Sequence, residues 1–185
     1  MNLYKIYNDS SSLLYWNEMR TIKTEKGIEY RLNGLLHNEN GPAIKYDNGG
    51  LYWYIKGKLH RDDGPAVERH DGTKEWYQHG ELHNDNGPAM INDVGKYWYQ
   101  NDKRHREDGP AAELSNGDVE WYQDGKVHRD GGPAVEWKNG NKYWYQNGKL
   151  HNVDGPAVTW ANGDKFWYIY NKEYSEKEWK EKVGK

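Results

Sequence analysis

A sentence of 23 residues recurs along this chain, and it leaves little freedom in how the chain can fold. One copy runs Tyr143-Trp144-Tyr145-Gln146, Asn147-Gly148, Lys149-Leu150-His151, Gly155-Pro156-Ala157-Val158, Asn162-Gly163. The repeat histidines are His37, His60, His83, His105, His128 and His151, spaced 23, 23, 22, 23 and 23 residues apart. All six prolines share one slot: Pro42, Pro65, Pro88, Pro110, Pro133 and Pro156, each between Gly and Ala. Seven residues before each His stands an aromatic: Tyr30, Trp53, Trp76, Trp98, Trp121 and Trp144. A seventh copy starts at Phe166-Trp167-Tyr168 and then stops. A period of this length is the mark of a repeat architecture, in which each unit buries its surface against its neighbours.

Each unit reads as a β-hairpin. The Lys142–Gln146 run is aromatic and alternating, as a strand requires. The Asn-Gly, Asp-Gly or Lys-Gly that follows is a tight-turn signal, because such turns need positive φ. Ala157-Val158-Thr159-Trp160 is a second strand, and Asn162-Gly163 turns into the next unit. Between them, His-x-x-x-Gly-Pro bends the returning chain, since Pro cannot donate to a ladder. No helical period occurs between Ile28 and Tyr170. The expected fold is all-β: an elongated single-sheet array of antiparallel hairpins, flanked by an irregular N-terminal cap over 1–27 and a C-terminal helical cap over 175–185, with the repeats in 28–174. In the first segment, Leu3–Tyr7 and Trp16–Lys23 read as strands and Asp9–Ser12 as a turn. Ser175-Glu176-Lys177-Glu178 is a capping box, so Glu176–Lys182 reads as a short helix with Trp179 packing back.

The strand period of two places Trp144 on one face and Tyr143 and Tyr145 on the other. The Trp row is expected to form the core, with the apolar residue before His (Leu36, Leu59, Leu82, Val127, Leu150) and the Val slot (Ile44, Val67, Met90, Val135, Val158). The Tyr row is then half-exposed.

Composition narrows the class further. The 185 residues include 10 Trp, 16 Tyr and no Cys, and the formal net charge is −3. Thiol chemistry and disulfides are excluded, which fits a reducing compartment. The small negative charge offers no pull toward nucleic acid or acidic lipid. Neither a signal peptide nor a membrane-length apolar run is visible, so a cytoplasmic location without membrane contact is expected. Such a hydrophilic chain reconciles with folding because Tyr and Trp bury a ring and keep a polar tip wet.

The unit resembles the MORN repeat family in its period, its Trp or Tyr strand and its Gly-Lys-x-His segment, here Gly57-Lys58-Leu59-His60, Gly125-Lys126-Val127-His128 and Gly148-Lys149-Leu150-His151. It departs after the His, where His60–Ala66 reads His-Arg-Asp-Asp-Gly-Pro-Ala, similar to MORN-like proteins of bacteriophages and giant viruses. The resemblance covers about Ile28 to Tyr174. It implies a scaffold for protein contacts or dimerisation and, through the viral likeness, a host defence or toxin component as partner.

The residues with chemistry in them have structural readings. Successive histidines two strands apart stand roughly 10 Å from one another, too far to share one zinc. Each His is instead expected to bond its own loop. Asp63-Gly64, Asp108-Gly109 and Asp154-Gly155 read as turn chemistry, since Asn40, Asn86 and Gly131 fill the same slot. No serine stands in a strained turn beside a His, so no catalytic residue, metal ligand or cofactor site is assigned. The binding candidates are the Tyr row, Tyr54, Tyr77, Tyr99, Tyr122, Tyr145 and Tyr168, because Tyr is enriched at interface hot spots and stacks on sugars and bases. The second candidate is the stretch from Met90 to Arg104. One residue is missing there, Asp102 stands where Gly belongs, and Arg104 stands where an apolar residue belongs. A contact site at this stretch predicts that Arg104→Leu spares the fold and weakens binding. Three functions follow in order: a non-enzymatic protein-binding scaffold, a nucleotide or sugar binder on the Tyr row, and an enzyme. A homodimer is expected too, because a thin sheet with two aromatic faces gains from a second layer.

Overall fold

The structure, a computed structural model, describes Leu3, Tyr4 and residues 17–185. The turn expected at 9–12, and Lys5, Ile6, Tyr7 and Trp16 of the two leading strands, lie outside these residues. Elsewhere the chain is mostly β, an antiparallel ladder of hairpins that ends in one short helix, and no barrel closes among the described residues.

Two compact units divide the chain, Met1–His83 and Asn84–Lys185. In the first, Leu3–Tyr4 pairs with the start of Asn17–Thr24, whose residues 19–24 pair with Gly27–Leu32. The ladder continues through Ile44–Tyr46, Leu51–Tyr52, Val67–Glu68 and Lys74–Glu75. In the second, it runs from Met90–Ile91 through Gly95–Tyr97, Ala112–Leu114, Val119–Glu120, Val135–Glu136, Lys142–Tyr143 and Val158–Thr159 to Lys165–Ile169.

The Trp is where each leading strand changes partner. The Trp53 N–H donates to the Ala66 carbonyl at 2.8 Å, and the Trp53 carbonyl accepts from the His60 N–H at 3.1 Å. Beyond it the strand folds into its own hairpin, Tyr54–Ile55 against Lys58–Leu59. The connecting turn takes positive φ at both residues, 50° at Lys56 and 80° at Gly57. That is the turn whose twist matches a two-residue hairpin. The same pair recurs as Asn147 and Gly148 at 50° and 79°, and as Asn101 and Asp102 at 49° and 63°. Asp102 therefore holds a left-handed backbone without being glycine. Asp102→Gly is expected to raise stability by about 1 kcal/mol, read as a higher urea midpoint with an unchanged slope.

Register reverses the expected faces. Tyr54 lies directly across from Leu59, and Tyr52 across from Val67. Tyr145 faces Leu150, and Tyr143 faces both Val135 and Val158. Directly opposed residues share a face. The apolar slots therefore pack with the Tyr row, and the expected Trp-centred core is corrected. The Trp slot shares its face with the Ala of Gly-Pro-Ala. Those alanines, Ala43, Ala66, Ala89, Ala111, Ala134 and Ala157, are fully buried. The physical reason is the turn itself: with Lys56 and Gly57 as its two residues, Leu59 can only oppose Tyr54.

Histidine holds successive hairpins together. The Lys56 N–H donates to His37 Nδ1 at 3.1 Å, and the His79 N–H to His60 Nδ1 at 3.2 Å. In the second unit Asp124 donates to His105 at 3.2 Å and Asn147 to His128 at 3.1 Å. Beside each stitch the turn Gly donates to the carbonyl before the preceding His, as Gly57 does to Leu36 and Gly148 to Val127, both at 2.8 Å. The ring thus spends Nδ1 on the next repeat's turn, which corrects the expected bond to its own loop. Only Nε2 faces that loop, 3.2 Å from Asp62 at His60. Accepting at Nδ1 requires a neutral ring carrying its proton on Nε2.

His151 is the exception. Tyr170 replaces the turn donor with its ring, stacked at 4.1 Å, and the buried Nδ1 has no hydrogen-bond partner among the described residues. Burial pushes the His151 pKa below the usual 6.5. A depressed folded pKa stabilises the protein above the unfolded value and loses that contribution as pH falls through the folded one. The melting temperature should therefore fall as pH drops below about 6.5, and less steeply in His151→Gln. Parallel slopes in the two proteins would contradict the assignment.

Helix α1, Glu176–Val183, carries the expected capping box: the Ser175 hydroxyl accepts from the Glu178 N–H, and the Glu178 carboxylate accepts from the Ser175 N–H. Gly184, with φ 73°, closes its end.

Candidate functional site

The Gly-Pro loops are built by the residue after His. Where that residue is Arg, it closes the loop and covers the Trp. Arg61 donates to Asp63 at 2.8 Å, to the Pro65 carbonyl at 3.3 Å and to Glu68 at 3.0 Å. Its guanidinium lies 4.0 Å from the Trp53 ring centre. Arg106 repeats this on Asp108, Pro110, Glu113 and Trp98, and Arg129 on Pro133, Glu136 and Trp121. These guanidiniums hold the Asp63 and Asp108 carboxyls below the usual carboxylate range. Where the residue is Asn, the amide does the loop-closing alone. Asn38 donates to Pro42 at 3.1 Å, Asn84 to Pro88 at 2.9 Å and Asn152 to Pro156 at 3.0 Å. The bond to the Pro carbonyl is thus common to both residue types, and Arg adds cation–π stacking on the Trp at the same corner.

Between successive loops lie open grooves floored by Trp. One, of about 650 Å³, runs between Asn38–Pro42 and His60–Asp63 over Trp53 and Ile55. A second, of about 520 Å³, runs between Asn84–Gly87 and His105–Asp108 over Trp98 and Gln100. A third, of about 350 Å³, lies between Arg129 and the 151–156 loop over Trp144 and Gln146. Their rims carry exposed carboxylates: Glu39, Asp62 and Asp63 on the first, Asp85, Glu107 and Asp108 on the second.

The Tyr row lies on the opposite, apolar-packed face of each unit. All six side chains are half-buried. Burial pushes the hydroxyls of Tyr54, Tyr122, Tyr145 and Tyr168 up, and the acceptors Glu120 and Glu173 add to this at Tyr122 and Tyr168. Three of the hydroxyls bond within the chain: Tyr77 donates to the buried Glu75 at 3.2 Å, Tyr122 to Glu120 at 2.9 Å and Tyr168 to Glu173 at 2.9 Å.

Of the residues singled out in the sequence, the structure gathers Tyr99, Tyr122 and Arg104. Arg104 donates to the Tyr99 hydroxyl at 3.1 Å, to the Tyr122 hydroxyl at 3.3 Å and to Glu120 at 3.4 Å. It also lies 5.1 Å from the ring centres of Tyr97 and Tyr122. Its out-of-pattern charge is answered by Glu120, whose slot holds Glu at Glu75 and Tyr at Tyr97 and Tyr143. Arg104 therefore turns inward to a network, and Asp102 lies in the exposed turn of the same hairpin. Arg104→Leu is expected to cost about 1 kcal/mol, because Glu120 and both hydroxyls lose their cation in a half-exposed setting. Arg104→Leu combined with Glu120→Tyr should recover it. An unchanged denaturation midpoint for the single variant would contradict this.

The missing residue is absorbed in a turn. Asn92 donates from its N–H to the Gly95 carbonyl at 3.0 Å, and its side-chain oxygen accepts from Val94 and Gly95. Met90 still opposes Tyr97, so the register survives. The loop clamps were not read from the sequence, although the Arg-or-Asn alternation after His was a visible signal.

Among the described residues no group of three or more His, Asp or Glu side chains could hold a metal ion. No helix there is long and apolar enough to cross a membrane. Comparison with protein-family models and with curated proteins gives no match.

Proposed function

We propose that this chain is a non-enzymatic MORN-like repeat scaffold that binds a protein partner through its loop-and-Trp face. The observation that carries this reading is the repeated construction of that face. Each corner is fixed by an Arg or Asn bond to the Pro carbonyl, and histidines stitch the hairpins beneath it. A face so held presents its groups with little ordering cost on association. On the Tyr face the hydroxyls of Tyr77, Tyr99, Tyr122 and Tyr168 bond to neighbours within the chain, which favours the loop face as the contact surface. Exposed carboxylates along the groove rims suit a basic partner. The resemblance to viral chains directs the proposal to a host protein in the cytoplasm.

Affinity capture with purified chain tests it. Wild type should retain a partner that Asp62→Lys with Glu107→Lys loses, while Lys45→Glu with Lys96→Glu, away from these grooves, retains it. Loss of the partner by the second pair and not the first would overturn the reading, as would the absence of any retained protein.

A further inference from the structure

The chain already fills one of its own grooves. Helix α1 packs on Lys165–Ile169 and Lys172–Tyr174. Its Trp179 is 4 % exposed, and the indole N–H donates to the Asn152 carbonyl at 2.9 Å. At the far end the Lys185 ammonium reaches the Val153 carbonyl at 3.0 Å and Asp154 at 3.1 Å, and lies 5.6 Å from the Trp179 ring centre. The occupied site is thus an Asn-clamped loop, 152–156, followed by a strand that carries Trp167 and Ile169. Its occupant is a helical turn bearing a Trp, with a Lys six residues on.

The same parts recur once more. The slot two residues after the Trp or Tyr holds Gln78, Gln100, Gln123 and Gln146 in the third to sixth copies, but Leu32 and Ile55 in the first two and Ile169 in the last. The groove over Trp53 and Ile55 therefore repeats the apolar pair, Trp167 and Ile169, of the strand on which the tail helix packs. It also has the same clamp: Asn38 bonds Pro42 as Asn152 bonds Pro156, and Asn40 donates its N–H to Asn38 as Asp154 does to Asn152. The Asn38 residue whose carbonyl corresponds to Trp179's acceptor lines this groove. Its far wall differs. There Arg61 covers Trp53, with Asp62 and Asp63 exposed beside it, whereas the tail turns away at Ser175. Three carboxylates, Glu39, Asp62 and Asp63, stand against the one guanidinium, so the rim favours a cation.

We propose that the groove lined by Trp53 and Ile55 is a docking site for a helical segment of the partner protein, one that presents a Trp to Ile55 beside the Arg61-covered Trp53 and a Lys or Arg to the acidic rim. This rests on the protein-binding reading above and names the chemistry of its partner. A partner helix is favoured over a second copy's tail because each tail is held in its own groove at high effective concentration.

The probe is a fluorescein-labelled peptide of residues 174–185, titrated with the full chain by anisotropy. Saturable binding is expected, weakened about tenfold or more by Trp179→Ala in the peptide. Ile55→Gln in the chain should weaken it about tenfold as well, without lowering the melting temperature, because Gln occupies that slot in four other repeats. No binding at millimolar chain, or equal binding by Ile55→Gln, overturns the proposal. A response to Ile169→Gln but not to Ile55→Gln means the peptide exchanges with the tail in its own groove, and also overturns it. A concentration-dependent dimer in sedimentation, lost in Ile55→Gln, would overturn the partner assignment in favour of a second copy. Partner capture that persists in Ile55→Gln would sink this site while leaving the scaffold reading standing.

Discussion

Gly95→Ala is expected to destabilise the second unit by about 3 kcal/mol, the upper end of what an extra methyl costs in a packed backbone. Gly95 is buried and opens the strand Gly95–Tyr97, opposite Leu114. A Cβ there would stand 2.5 Å from the Glu113 carbonyl oxygen and 3.0 Å from the Leu114 Cα. Both are backbone atoms of a ladder strand, so relief means moving the strand. The objection is one of space, because φ at Gly95 is not in the left-handed region. Gly163 makes the comparison: its φ is 95°, but a Cβ would meet nothing within 4 Å. Gly163→Ala should cost only about 1 kcal/mol, from dihedral strain. Urea denaturation of the two variants separates the effects, and a Gly95→Ala midpoint equal to that of Gly163→Ala would contradict the steric account.

This glycine shows what the sequence could and could not say. The break in the period at 90–95 was visible, and so was the tempting reading of it as a contact site. The need for glycine at 95 comes from a carbonyl eighteen residues away in the next strand, which no local signal announces. The hairpins, the Asn147-Gly148 turns and the Ser175 capping box were legible because each is decided by residues within a few positions. The faces were misread even though the signal was present, since a two-residue turn at Lys56-Gly57 already places Leu59 against Tyr54. With aromatics on both faces, hydrophobicity alone could not choose between them. The histidine stitches join residues 19 apart, His37 to Lys56 for instance, and only the stacking of one hairpin on the next brings these together. For the candidate site, the Tyr row was attractive because its residue type suits binding. The neighbours Glu75, Glu120 and Glu173 that occupy its hydroxyls come from cross-strand and same-face register, not from composition.

Trp179→Ala should have the largest effect at the C-terminus. Removing a buried indole costs about 3 to 5 kcal/mol, and here the hydrogen bond to the Asn152 carbonyl goes with it. An eight-residue helix is far below the length that is stable alone in water. Docking, rather than the capping box, therefore keeps α1 formed. The expected result is local: amides of 176–183 exchange at near-unfolded rates, while those of Lys142–Tyr143 and Val158–Thr159 stay protected, because their ladder bonds do not pass through the helix. Retained protection across α1 would show that the helix does not depend on its Trp. The loss would also uncover Lys165 and Phe166, the part of the strand Lys165–Ile169 that pairs on one side only, an edge prone to pairing with other chains, so the variant should associate at high concentration.

The central claim is that the loop-and-Trp face meets the partner while the Tyr face holds the fold together. Carboxylate footprinting tests it most directly, by comparing the modification of Asp and Glu side chains in the chain alone and with its captured partner. The account predicts protection at Glu39, Asp62 and Asp63, with Glu120 and Glu173 unchanged. Protection confined to Glu120 and Glu173, with the loop carboxylates still fully reactive, would contradict it.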